Sequence, residues 1–216
     1  VRSCDATTFE QSIKESAAVW MQEISATEPH AKIELEKTDI AADKVLDSKS
    51  TANVIYALWL SPDGVYKMSQ EIKGMVQTSL NLGTAYLDAD KLVYKYLIRS
   101  NTAAGKKLLL ERVTTFVKHL SGKVVTMSDY PAWEYKSDSQ LRKICVDSFT
   151  NVYGHEPEVT SIHAGLECGI LAGKMPGVDM ISFGPTLESV HTPDECMNVA
   201  SVERTWEYLL EILKSL

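Results

Sequence analysis

Of the five histidines in the chain, two stand where chemistry is expected. His191 lies in "SFGPTLESVHTPDEC" (182–196), behind a short apolar run and a Gly-Pro break, with Pro193, Asp194 and Glu195 just after it. His163 opens "HAGLECG" (163–169), where Gly165 permits close backbone approach and Glu167 stands at the start of a helix. A neutral imidazole ligates zinc through one nitrogen while the other needs an orienting partner, a role open to Asp194 or Glu195. One histidine does not make a metal site, because zinc takes about four ligands. The pattern alone therefore leaves two readings of His191: a metal ligand, or a solvated loop residue, with Gly165 a turn residue.

Other signals fail on inspection. "NTAAGKK" (101–107) resembles a phosphate loop but lacks the first glycine and the Ser or Thr after lysine. "HEPEV" (155–159) begins like a zinc-protease helix, yet the second histidine is absent and Pro157 opposes a helix there. No GxSxG elbow and no GxGxxG fingerprint occurs.

The elements that must position these residues follow from periodicity. Phe9, Ile13, Trp20 and Ile24 mark one face of a helix over 7–25. "KIELEK" (32–37) alternates like a half-exposed strand, and "KSTANVIYALWL" (49–60) is a helix stopped by the turn "SPDG". Strands at 75–84 and 91–99 form a hairpin, followed by a helix at 103–120, a stop at Gly122 and a strand "KVVTM". That order gives an α+β sandwich of the split βαβ kind. Beyond the turn-rich "SDYPAWEYKSDSQ" (128–140) the elements alternate: helix 138–153, strand 158–163, helix 166–174, strand 179–184, helix 200–214. Alternation of this kind predicts parallel strands with helices packed on them, and ligands at the strands' carboxyl ends. Both His163 and His191 fall at such ends.

A length of 216 residues fits one large domain or two small ones, and 44% hydrophobic with 24% charged residues is an ordinary globular balance. A net charge of -7 opposes a nucleic-acid partner, which needs clustered Lys and Arg. No apolar run reaches the roughly 20 residues of a membrane span. Cys4, Cys145, Cys168 and Cys196 are sparse and irregularly spaced, as free thiols in a reducing cytoplasm are. The chain opens on Val1, without an initiator Met, so it is expected to be a piece of a longer polypeptide.

Taken together, "SDYPAWEYKSDS", "IHAGLECGILAGKMPGVDMISFGP" and "VHTPDE" resemble the C-terminal part of the aminoacyl-histidine dipeptidases, cytosolic dinuclear zinc peptidases also called bacterial carnosinases. "LSPDGVYKMS", "TSLNLGTAY" and "YLIRSN" are similar to that family's middle region, so the resemblance covers essentially the whole chain. It implies residues 1–128 as part of a ferredoxin-like α/β sandwich lid and 129–216 as the C-terminal βα part of the catalytic domain. It implies zinc, two ions per full-length chain, with His191 as a metal ligand. It implies a dipeptide substrate, its carboxylate gripped by Arg99 and its backbone approached at Gly165. Glu167 would either meet the substrate's amino group or simply favour a helix N-terminus.

The family's HxD motif, Glu-Glu pair, bridging aspartate and GGHSG motif have no counterpart in this chain. No catalytic residue is therefore assigned, and the fragment alone is expected to be inactive. A homodimer formed through the lid, with no nucleic acid and no membrane, is the expected assembly, since open strand edges pair readily. The alternative is a non-catalytic dimerisation or binding module that keeps the lid surface.

Overall fold

The computed structural model describes residues 5–37, 44–88, 90–163 and 166–216. These fall into two compact units, 1–47 and 48–216.

In the first unit, α1 (Ala6–Ile24) forms over the expected stretch, but none of its residues is buried. Phe9 and Trp20 remain 47% and 58% exposed. Its surface is laced by i,i+4 pairs, Lys14 with Glu10 and Gln11 with Glu15, each a small stabilisation. "KIELEK" is not a strand. Its apolar residues alternate as a strand's do, but a strand exists only with a ladder partner, and 32–37 pairs with no strand among the described residues.

In the second unit, α2 (Ser48–Trp59) is followed by a three-stranded antiparallel sheet in chain order: β1 (Gly64–Met68), β2 (Val76–Asp88) and β3 (Lys91–Ser100). β1 was not expected. The Pro62–Gly64 turn signal masks its start, yet Asp63 accepts a hydrogen bond from Leu82 N–H at 2.7 Å and so lays the next residues along β2. β2 and β3 pair from Asp88↔Lys91 to Thr78↔Ser100, with one bulge at Gly83.

α3 (Ala103–His119) crosses this sheet and closes the first core. Leu80, Leu109 and Val113 are buried, with Tyr96, Ile98 and Val117 packed round them. Thr102 caps the helix by accepting from Gly105 N–H, and a Cβ on Gly105 would lie 2.6 Å from the hydroxyls of Ser100 and Thr78. Only glycine lets the helix start so close to the sheet.

The segment from 129 docks on α3 before entering the remaining helices. Lys106 pairs with Asp129 at 2.6 Å, and Ala103 N–H donates to Glu134 Oε1 at 2.9 Å. α4 (Gln140–Tyr153) and α6 (Val199–Ser215) then pack on each other around Cys145, Tyr208 and Ile212. Tyr208 donates its hydroxyl to the Cys145 carbonyl at 2.8 Å, inside that core. Among the described residues Cys145, Cys168 and Cys196 are free thiols, as expected, and Cys4 lies outside them.

α5 (Glu167–Lys174) sits against Pro131. A Cβ on Gly169 would lie 2.7 Å from the Pro131 carbonyl oxygen, and one on Gly173 2.6 Å from its ring. The two-residue strands β4 (Leu187–Glu188) and β5 (Cys196–Met197) form a small ribbon. "KVVTM", 158–163 and 179–184 form no strand and join no sheet among the described residues, so the expected parallel ladder is not formed there. Strand-forming sequence favours an extended backbone but does not fix the identity of its neighbour. The mixed α/β class stands.

Candidate active site

Arg99 is the second-to-last residue of β3, on the exposed side. Its partner across the ladder is Ser79 of β2, so both side chains emerge on the same face. Arg99 Nη1 donates to the His163 carbonyl at 2.9 Å, and Ser79 Oγ lies 2.6 Å from His163 Nε2. A pair of residues near the end of the hairpin thus grips one residue just ahead of α5, by its ring and by its carbonyl. Burial, with the Arg99 charge second, holds the His163 imidazole below the usual histidine range, while a hydrogen bond to the Val76 backbone pulls the other way. The ring is therefore neutral near pH 7.

Among the described residues Arg99 has no other partner. A guanidinium carries five donors in a planar fork. One is engaged with His163, and the others have no partner among the described residues.

Gly165 lies outside the described residues. Glu167 is the first residue of α5, exposed, and Leu166 at the N-cap supplies no side-chain bond to that end of the helix. An acidic residue there complements the helix dipole.

His191 stands in a tight turn between β4 and β5. Thr192 bonds back to the Ser189 carbonyl through both N–H (3.2 Å) and hydroxyl (2.7 Å), and Glu195 N–H donates to the Thr192 carbonyl at 3.1 Å. The backbone at His191 is left-handed, with φ +66°, as it is at Ser189, φ +51°. Non-glycine residues pay about 1–3 kcal/mol for such conformations, which concentrate at functional positions. Glu195 does not orient the imidazole, as the sequence allowed. Its Oε2 accepts from the His191 backbone N–H at 2.8 Å, because in this turn the carboxylate reaches the main chain. The ring itself is exposed and has no hydrogen-bond partner among the described residues.

The turn is carried by a segment fastened at both ends. Asp179 accepts from the Ser139 hydroxyl at 2.7 Å and from Leu141 N–H at 3.0 Å, which ties it to the start of α4. Burial tends to raise this carboxyl's pKa, but the Leu141 N–H, the Ser139 hydroxyl and Lys136 outweigh it and hold it low. Thr186 N–H donates to Ser201 Oγ at 2.8 Å, and its carbonyl accepts from Asn198 N–H at 3.0 Å, which ties it to the start of α6.

The structure thus joins Arg99 to the segment before Gly165. The bonds of the His191 turn stay within residues 189–195. Among the described residues no three His, Cys, Asp or Glu side chains converge as a metal cage. His191 fits one ligand position, exposed and unengaged, rather than a whole site. Ser79 was missed by sequence reading, since a lone serine in a strand gives no sign of a partner 84 positions away.

A mixed α/β scaffold that bonds an arginine to the His163 carbonyl is matched by a peptidase family. Residues 5–215 match peptidase family M20/M25/M40, and the chain belongs to it. Its relatives narrow the likeness. The cytosol non-specific dipeptidase of Escherichia coli (strain K12) is 33% identical over 178 residues, 82% of this chain and 37% of that protein. The crystal structure of aminoacylhistidine dipeptidase from Vibrio alginolyticus superposes with a TM-score of 0.86 at 29% identity, covering 98% of this chain and 43% of that one. The aminopeptidase PepT of Bacillus cereus ATCC 10987 shares the fold alone, with a TM-score of 0.50 at 17% identity over 76% of this chain and 44% of that one. The resemblance to aminoacyl-histidine dipeptidases is borne out. The chain spans about two-fifths of the length of these relatives.

Proposed function

We propose that the chain is a portion of a zinc-dependent dipeptidase. In this reading it carries the carboxylate-binding part of the substrate site and one metal-binding imidazole. The observation that carries it is the 2.9 Å bond from Arg99 to the His163 carbonyl, which sets a guanidinium beside the segment leading to Gly165.

Arg99 binds the terminal carboxylate of a dipeptide, bidentately, through the donors His163 does not use. Gly165 lets the substrate backbone approach without a Cβ in the way. Glu167 meets the substrate's amino group or favours the helix end, and its exposure at the start of α5 supports this reading. His191 holds one of two zinc ions, and residues outside this chain complete the set. Zinc, when bound, supplies an activated water near neutral pH. The general base also lies outside these residues, so the chain alone hydrolyses no dipeptide.

Residues 1–128 belong to the lid and 129–216 to the catalytic domain. In support, separate hydrophobic cores lie on either side of 128, one under α3 and one between α4 and α6. The name of the Vibrio relative supports Xaa-His dipeptides as substrates. That of the Escherichia relative supports a cytoplasmic enzyme with wider tolerance. No helix among the described residues is long and apolar enough to cross a membrane. The lid pairs with a second copy. In support, α2 exposes Ile55, Tyr56, Leu58 and Trp59, and the outer edge of β1 has no strand partner among the described residues.

The full-length protein is expected to hydrolyse Xaa-His dipeptides, hold two zinc ions and lose activity to a chelator, whereas the 216-residue chain shows no turnover. A full-length protein that binds no zinc and cleaves no dipeptide would instead be a dimerisation module. Turnover by the 216-residue chain would refute the assignment of the missing ligands.

A further inference from the structure

Ser79 and Arg99 face each other across the β2–β3 ladder, and both end on His163. Ser79 meets the imidazole at 2.6 Å and Arg99 meets the carbonyl at 2.9 Å. Removing the Ser79 bond leaves the Arg99 bond formally intact, because the latter uses the main chain. The two contacts nevertheless restrain one residue from two directions. A flexible arginine loses rotamer freedom when it is ordered, and an anchored carbonyl lowers that cost when substrate arrives.

We infer that Ser79 and His163 are positioning residues: their mutual hydrogen bond holds His163 against the hairpin, so that its carbonyl keeps Arg99 in one preformed orientation for substrate. This rests on the reading of Arg99 as the carboxylate-binding residue. It adds two residues that touch no substrate and act through Arg99 and the His163 main chain. The chemistry suits the part. Burial keeps the ring neutral, so a serine hydroxyl pairs with it without an ionic partner. A cross-strand neighbour of the arginine is also the shortest route by which the same hairpin can hold both ends of the contact.

The test uses the full-length enzyme with Ser79→Ala, His163→Ala, the double variant and Ser79→Thr. Loss of one hydrogen bond raises KM by about 2- to 12-fold with kcat retained. The double variant matches either single one, since both remove the same bond, while Ser79→Thr restores KM and zinc content is unchanged throughout. Additive losses, or a fall in kcat at constant KM, would overturn the inference. Amide hydrogen exchange supplies a readout that needs no activity. In the 216-residue chain, Ser79→Ala and His163→Ala should each raise exchange across 158–163 and leave α6 unchanged. Unaltered exchange there would overturn the inference even in an active enzyme. Faster exchange in a protein with no peptidase activity would uphold the contact while sinking the proposed substrate.

Discussion

In the hairpin region all three strands have ladder partners, and Leu80, Leu109 and Val113 close a core between the sheet and α3. Beyond residue 128, by contrast, the segments at 158–163 and 179–184 join no ladder among the described residues. That second region has its own core between α4 and α6, against which Ile181 packs, and its 179–186 stretch is fastened by hydrogen bonds at the starts of the two helices, through Asp179 to α4 and through Thr186 to α6. Arg99 is thus presented by a self-supporting sheet, whereas His191 is presented by a turn whose geometry depends on a few polar contacts. The difference teaches that the two proposed site residues should fail in different ways.

The largest expected effect is on the His191 turn. In the full-length enzyme His191→Ala should lower kcat/KM by about 1,000-fold or more, roughly 4 kcal/mol of transition-state stabilisation. His191→Gly should lose as much activity, and in the 216-residue chain without metal it should lose no stability, because glycine adopts the left-handed backbone freely. A melting temperature that falls in the glycine variant would break the contrast between a strained turn and a relaxed sheet. On the other side of the comparison, Leu109 is fully buried under the hairpin. Leu109→Ala should cost about 2–5 kcal/mol in denaturant unfolding, from lost burial and the cavity left behind.

Smaller effects sharpen the account of the second region. Asp179→Ala should cost about 1–2 kcal/mol, since it removes a cap on α4. The low pKa of this carboxyl means that its contribution is present above about pH 4 and is lost as pH falls through the folded-state value. Acid titration of stability should show that loss in the parent and not in Asp179→Asn. The smallest expected effect is at His163. Its ring binds its proton less readily folded than unfolded, so stability is fully present above about pH 6.5 and declines as pH drops through the window below. His163→Gln should flatten that decline.

Legibility in the sequence followed the same division. Helix periods located α1 to α6 closely, although α1 buries none of its residues, and alternation located β2 and β3, whose alternate residues close the core under α3. The strand signal misled at "KIELEK" and "KVVTM", where alternating or apolar residues join no ladder among the described residues. Val125 and Met127 there are 79% and 75% exposed, so no sheet edge of the described chain covers them. The start of β1 was hidden by its own turn residues. For the site, residue type and position singled out His191 and the HAGLE stretch, whereas Arg99 was legible only through family resemblance. Ser79 was not legible at all, since its meaning comes from register with Arg99 and from a contact across the fold. Nor could spacing reveal that Glu195 would bind the main chain of His191 rather than its ring.

The central claim is that Arg99, set against the His163 carbonyl, binds the carboxylate of a dipeptide. The most direct measurement compares KM for a dipeptide and for its C-terminal amide in the full-length enzyme and in Arg99→Ala. The wild type should favour the free carboxylate by about 10- to 100-fold, the worth of a charge-assisted hydrogen bond, and Arg99→Ala should treat the two substrates alike. Equal discrimination in both proteins would contradict the account.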